Sequence, residues 1–169
     1  HNAAAVVVVT RTPEEYLPQL TRQETEMVKT VCASFERTVL VLNTPGYMEL
    51  GELAQTVPAI VFMGVAGQEG GHALADILTG RVMPSGRLAH SWPASLSQYD
   101  EAAQTLDCFN GYRWFDSFDR EVLYPFGYGL GYGKAELASV SMGLDGCDVV
   151  VTAEVENTGE TYPVQEVVQ

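Results

Sequence analysis

Residues 6–16, VVVVTRTPEEY, run four valines into an arginine, a proline and two adjacent glutamates, Glu14 and Glu15. A valine run of this kind reads as a buried strand, and in open α/β sheets ligands collect beyond the carboxyl ends of the strands. Carboxylates just past such an end have two uses. One is a solvated, charged turn. The other is general acid catalysis, in which burial or a like charge lets a carboxyl group hold its proton at neutral pH and give it to a leaving group. Arg11 works against the second use, because a cation beside a carboxylate favours the ionised form. Residue chemistry alone leaves both readings open, the solvated turn being the commoner.

Other clusters carry less chemistry. The glycine-rich stretch Gly64–Gly71, GVAGQEGG, lacks both the G-x-G-x-x-G spacing and the P-loop lysine, and the first strand ends without glycine. Its better use is close packing of a helix on a sheet. Ser85, His90 and Asp76 have the residue types of a hydrolase triad, but no G-x-S-x-G elbow presents the serine. His1, His72 and His90 have no metal-ligand spacing, and neither do Cys32, Cys108 and Cys147. The sparse cysteines read as buried free thiols in a reducing setting. Tyr112, Trp114, Phe115 and Trp92 suit stacking on sugar faces, though core packing is the more frequent use of such rings. Asp116 and Asp119 read as turn residues.

The elements that must position these residues follow from periodicity. Ala3–Thr10, Arg37–Thr44 and Pro58–Gly64 are apolar runs without polar alternation, the mark of strands covered on both faces. Between them, Leu20–Phe35 places Leu20, Met27, Val28, Val31 and Phe35 at helical spacing. Thr21 stands three residues before Glu24 there, as in a capping box. Pro45–Val57 reads as a short helix, and Gly67–Gly80 as a helix ending in a C′ glycine. Strands alternating with helices predict an α/β fold: an open, mostly parallel sheet with helices on both faces. Periodicity fades through Ser95–Thr105. From Lys134 the pattern turns to β, with strands expected over 135–143, 147–156 and 164–169 and a turn at Asn157–Gly159. These read as the first strands of a separate β-sandwich that continues beyond Gln169.

Composition narrows the partners. Hydrophobic residues make up 46% and charged residues 18%, which supports a packed core rather than disorder. Nine Lys and Arg against 22 Asp and Glu give a net charge of −13, which argues against nucleic acid and anionic membrane surfaces as partners. No apolar run approaches the roughly 20 residues of a membrane-spanning helix. No basic, apolar leader opens the chain, and both a cytoplasmic and a secreted setting fit it.

Taken together, TVLVLNTPG, AIVFMGVAGQEGGHALADILTGRVMPSGRLAHSWP, GYRWFDS and LYPFGYGLGY resemble glycoside hydrolase family three, the β-glucosidase-like family, in its C-terminal region. Order and spacing are similar from about Ala3 to Tyr132. The later VVVTAEVENTGE resembles the start of the fibronectin type III-like domain that often follows. The resemblance implies two domains: residues 1–133, an N-terminally truncated α/β sandwich, and residues 134–169, an incomplete fibronectin type III-like domain. It also implies a preceding (β/α)8 barrel that supplies an aspartate nucleophile, an active site between barrel and sandwich, and a reaction that retains anomeric configuration.

In relatives the loop after the first strand reads Arg-x-Ser-Gly-Glu-Gly-x-Asp-Arg. Arg11, Thr12, Pro13, Glu14 and Glu15 run in register with its start, so the resemblance implies Glu15 as the acid/base, with Glu14 as substitute. The flanking glycines and the Asp-Arg are absent here. Arg11, Tyr112 and Trp114 are the implied substrate-side residues. The expected partners are a β-linked glucoside or oligosaccharide and the barrel domain. No metal or organic cofactor is implied, and an isolated fragment is expected to be inactive. A homo-oligomer paired through open sheet edges is one arrangement the pattern allows. The rival class is a non-catalytic carbohydrate-binding or scaffolding module with a degenerate acid/base loop.

Overall fold

The computed structural model describes residues 3–99, 108–159 and 161–168. The chain divides into two compact units, His1–Leu74 with Trp92–Leu123, and Ala75–Ser91 with Tyr124–Gln169.

The first unit is built on a parallel sheet of β1 (Ala4–Thr10), β2 (Arg37–Asn43) and β3 (Ala59–Phe62), in the order β1-β2-β3. The register sets Thr10 beside Asn43, so the chain leaves β1 level with the end of β2. Leu40, Val41 and Leu42 are consecutive and fully buried. Successive strand residues point to opposite faces, so β2 is covered on both. Burying each such side chain contributes about 1.5–3 kcal/mol, which makes β2 the centre of the core. β1, at the sheet edge, differs: Val7 and Val9 are buried, whereas Val6 and Val8 are about half exposed.

α1 (Arg22–Ser34) begins where the sequence predicts. The Thr21 side chain accepts from the Glu24 amide, and the Glu24 carboxylate accepts from the Thr21 amide. Of the five apolar positions on its expected face only Val28 is fully buried, and Met27 and Phe35 are exposed. The helix expected over Pro45–Val57 contracts to α2 (Leu53–Thr56). The preceding loop instead sinks Tyr47 and Met48 into the core side by side. Residues 47–48 have no helical backbone, so tertiary burial wins over helical spacing.

α3 (Gly70–Leu78) starts with a close approach: a Cβ on Gly70 would lie 2.4 Å from Ala66 Cβ. The contact is local to the glycine-rich loop and to Met63, the residue just past β3, rather than one of the helix on the sheet. The segment GYRWFDS forms α4 (Tyr112–Ser117), with Phe115 buried. Asp119 takes a left-handed φ of 49° just past its end, and the Arg120 amide closes onto the Phe115 carbonyl at 2.8 Å. Asp119 is thus a turn residue, as predicted, whereas Asp116 lies within α4 because the helix runs on to Ser117. β4 (Trp92–Pro93) and β5 (Val122–Tyr124) form a two-stranded sheet that periodicity did not reveal, being too short for a pattern. Residues 100–105 of the non-periodic stretch lie outside the described residues.

In the second unit β6 (Ala135–Asp145) and β7 (Asp148–Asn157) pair as an antiparallel hairpin with an irregularity between Leu137 and Ser139. One face carries Val140, Met142, Leu144, Val149 and Val151, all more than half exposed, and the other carries Ser139, Ser141, Thr152 and Glu154. Asn157 closes the next turn, its side chain accepting from the Gly159 amide at 3.0 Å.

The strand expected over 164–169 is not formed among the described residues. That segment lies along a run of alternate glycines instead. A Cβ on Gly133 would sit 2.5 Å from Val164 Cγ1, and one on Gly127 would sit 3.0 Å from Val167 Cβ. Arg87 donates to the Gln165 and Gly129 carbonyls, so the tail's polar groups are met by a side chain rather than a ladder. The thiols also depart from expectation. All three are free, but Cys108 and Cys147 are exposed and only Cys32 is partly covered. The first two stand in turns, where the chain meets solvent.

Gly129 tests this packing, since a Cβ there would lie 2.2 Å from the Gly86 carbonyl oxygen. Gly129→Ala is expected to lower stability by about 1–3 kcal/mol in urea unfolding. Gly143→Ala, with nothing within 4 Å of the added atom, is expected to leave stability unchanged or slightly raised.

Candidate functional site

The carboxyl end of β1 opens onto a shallow groove of about 570 Å³ lined by Thr10, Arg11 and Thr12 and by the segment from Glu14 to Leu17. The ladder extends one step past the strand, the Arg11 amide donating to the Asn43 carbonyl at 3.0 Å. Thr12 then leaves in an extended conformation, and Pro13–Glu15 form one turn of 3-10 helix, closed by the Glu15 amide on the Thr12 carbonyl at 3.2 Å. Proline suits this first position, where its fixed φ matches a helical turn and its missing N–H is not needed. The turn points both glutamates outward, and both are exposed. Among the described residues neither side chain has a hydrogen bond or salt bridge.

Arg11 does not serve these glutamates. Its guanidinium forms a bidentate pair with Glu24, Nη1 to Oε1 at 2.9 Å and Nη2 to Oε2 at 2.7 Å, and it also donates to the Thr10 and Gln19 carbonyls. Hydrogen bonding from Arg11, against some desolvation, holds the Glu24 carboxyl down at about 2, and the Arg11 pKa is raised in turn by the same bond. The expectation that Arg11 would act on the neighbouring glutamates therefore fails for a geometric reason: the chain turns at Thr12 and α1 brings a better-aligned carboxylate.

Beyond the turn the loop is tied down again. Tyr16 donates its hydroxyl to the Tyr47 carbonyl. The Glu49 amide donates to the Pro18 carbonyl at 2.7 Å. The Glu49 carboxylate accepts from Gln19 Nε2 at 2.8 Å and from the Leu96 amide at 3.1 Å. The free stretch of the loop is thus the carboxylate turn itself.

Of the residues expected at the site, the fold gathers Arg11, Glu14 and Glu15 around one groove, while Tyr112 and Trp114 on α4 stand outside its lining. Trp114 instead meets Phe115 edge-on at 5.1 Å, with Arg120 over its ring at 5.8 Å, and Arg113 lies over Tyr112 at 5.0 Å. Trp92 and Phe115 are core residues. Asp76 is engaged by Arg81 at 3.2 Å. Among the described residues no three of His, Cys, Asp and Glu converge as metal ligands. Sequence reasoning missed Tyr16, Tyr47 and Glu49, whose partners lie about 30 residues away and leave no local signature. Glu24 was visible only as a capping residue.

The groove can bring an uncommitted carboxyl group to a ligand held at the sheet's carboxyl edge. General acid work needs more, since a carboxyl group keeps its proton at neutral pH only where burial or a neighbouring like charge disfavours ionisation, and an open groove supplies no burial.

Comparison with known proteins adds an independent line. The family described as "Glycosyl hydrolase family 3 C-terminal domain" matches residues 1–132. A beta-glucosidase of Rhizobium radiobacter is 38% identical over 169 aligned residues, covering 88% of this chain and 20% of the relative. One from Kluyveromyces marxianus is 32% identical, covering 89% of this chain and 19% of the relative. The chain thus spans about a fifth of the length of these curated relatives. The structure of beta-glucosidase 3B from Thermotoga neapolitana in complex with glucose superposes with a TM-score of 0.81 at 32% identity, over 92% of this chain and 25% of that one.

The Arg11–Glu24 pair sets a pH dependence. The folded-state pKa of Glu24 lies near 2, below the ordinary 4.5, so its contribution is complete above pH 4.5 and is lost as pH falls toward 2. Glu24→Gln keeps a capping-box residue and removes the charge. After allowance for solvent screening at its open edge, the loss at pH 6 is expected to be about 1–2 kcal/mol by urea unfolding, shrinking toward zero near pH 2. A difference that stays constant with pH would assign the effect to packing instead.

Proposed function

The chain belongs to glycosyl hydrolase family 3, matching its C-terminal domain over most of its length, and on that basis we propose that it is the acid/base-bearing part of a retaining β-glycosidase. Its substrates are terminal β-D-glucosides or related β-glycosides, in line with the names of the relatives and with the glucose held by the Thermotoga enzyme. The nucleophile belongs to a barrel domain outside these 169 residues, and residues 134–169 open a fibronectin type III-like domain. The one-sided apolar face of the hairpin supports that last assignment, because a sandwich buries one face of each sheet.

The observation that carries the reading is the groove at the carboxyl edge of the sheet, with Glu14 and Glu15 on its wall and, among the described residues, no cation paired with either. In the first step the barrel carboxylate attacks the anomeric carbon while Glu15 gives its proton to the departing oxygen. In the second, Glu15 takes a proton from water as that water displaces the enzyme carboxylate. A retaining pair works at about 5–5.5 Å, so the barrel must close over the groove. That closure supplies the desolvation an acid needs. Glu14, one residue away, is the substitute should the turn rotate.

The exposure of both glutamates also suits a non-catalytic carbohydrate-binding or scaffolding module with a degenerate loop, and one experiment separates the two. In the full-length protein, Glu15→Ala is expected to cut turnover of an alkyl β-glucoside about 10²- to 10⁴-fold. It should spare kcat/KM on a dinitrophenyl β-glucoside, whose leaving group needs no proton, while kcat falls because the second step has lost its base; added azide, which needs no base, should restore that kcat with release of the β-glucosyl azide. Glu14→Ala should keep near-normal rates. Normal rates in both variants would remove the acid/base role from this loop.

The 169-residue chain alone is expected to leave p-nitrophenyl β-glucoside intact, since it carries one carboxylate of the required two. Turnover by the purified chain would refute the split site.

A further inference from the structure

We infer that Tyr16 is the positioning residue of the carboxylate turn, its phenol holding Glu15 at a fixed height above the core; the inference rests on the acid/base role proposed for that turn.

Tyr16 follows Glu15 directly and is the first anchored residue after it. Its hydroxyl donates to the backbone carbonyl of Tyr47, a residue packed into the core. Tyr47 is fully buried, stacked on Tyr99 at 4.8 Å with planes 9° apart and met edge-on by Trp92 at 5.6 Å. Trp92 in turn meets Phe62 of β3 at 5.2 Å. The phenol thus ties the exposed turn to the aromatic part of the core.

The seat for the phenol is preformed. A Cβ on Gly46 would lie 3.3 Å from the Tyr16 hydroxyl oxygen, closer than ordinary contact. Gly46 is itself held by the fully buried Thr44, whose hydroxyl donates to the Gly46 carbonyl at 3.1 Å. Burial, with a further contribution from Tyr99, pushes the Tyr16 phenol up to about 12, so it remains a donor across the working range of pH.

The turn has few other restraints. Arg11 is locked on its near side by Glu24 and by Asn43, and on the far side the next backbone tie is Pro18 to Glu49. Between these, the Glu15 amide to the Thr12 carbonyl is the one backbone bond within the turn. Proline opens the turn and a phenol follows it. Stiffness at Pro13 and a tether at Tyr16 define the direction of the glutamates, where glycine would leave the backbone free.

The test uses Tyr16→Phe, which keeps the ring and removes the donor. In the 169-residue chain, amide hydrogen exchange at residues 12–17 should become several-fold faster while β2 is unchanged. In the full-length enzyme, kcat on alkyl β-glucosides should fall about 10- to 100-fold with little change in KM. kcat/KM on the dinitrophenyl substrate should be spared, so that the dependence of kcat/KM on leaving-group pKa steepens in the direction of Glu15→Ala. Gly46→Ala, which crowds the phenol from the other side, should give the same pattern more weakly.

Unchanged exchange in Tyr16→Phe overturns the inference, whatever Glu15 does. Faster exchange with an unaltered leaving-group dependence also overturns it, because the tether would then be structural only. A full-length protein with no glycosidase activity refutes the proposed function, while the exchange measurement still decides whether the phenol holds the turn.

Discussion

The bidentate pair between Arg11 and Glu24 is the constraint on which the site depends. It joins the first residue past β1 to the first turn of α1, and so closes the loop at residues 12–21 on itself. Glu24 is simultaneously the capping-box residue of α1, accepting from the Thr21 amide and hydroxyl. One carboxylate therefore starts the helix and ends the strand. A charge-assisted, two-bond contact of this kind fixes orientation as well as distance, which a single lysine contact would not.

A consequence follows for the two glutamates on the turn. An arginine four residues before Glu15 would ordinarily be its nearest counter-ion, and a counter-ion favours the ionised form that a general acid must avoid. Arg11 still lines the groove, but its guanidinium is committed to Glu24 rather than to either glutamate of the turn. The same pairing leaves the turn short and stiff, with Pro13 at its entrance, and hands the remaining control of direction to Tyr16 and the Glu49 bonds.

Part of the exposed apolar surface lies on strand faces. Val6 and Val8 lie on one face of β1, and Met142, Leu144 and Val149 lie on one face of the β6–β7 hairpin. β2, by contrast, is covered on both sides. Each face follows from strand periodicity: a single strand or hairpin can present only every second residue to a given neighbour.

The sequence by itself determined the three parallel strands and the helices after β1 and β3, the start of α1 at Thr21, the turn character of Asp119, and the family, because each rests on residues close together in the chain or on a motif set. It brought Arg11, Glu14 and Glu15 to one place for the same reason. It misjudged the helix after β2, a third strand at 164–169, the burial of two thiols and the partner of Arg11. Those outcomes belong to tertiary structure. Whether Tyr47 goes inward, whether a tail finds a ladder or an arginine, and which of several carboxylates meets a guanidinium are settled by what lies nearby in space. The contacts that fix the carboxylate turn, Tyr16 to Tyr47 and Gln19 to Glu49, join residues about 30 positions apart. Local patterning carries no information about such pairs, and only the folded sheet brings them within hydrogen-bonding distance.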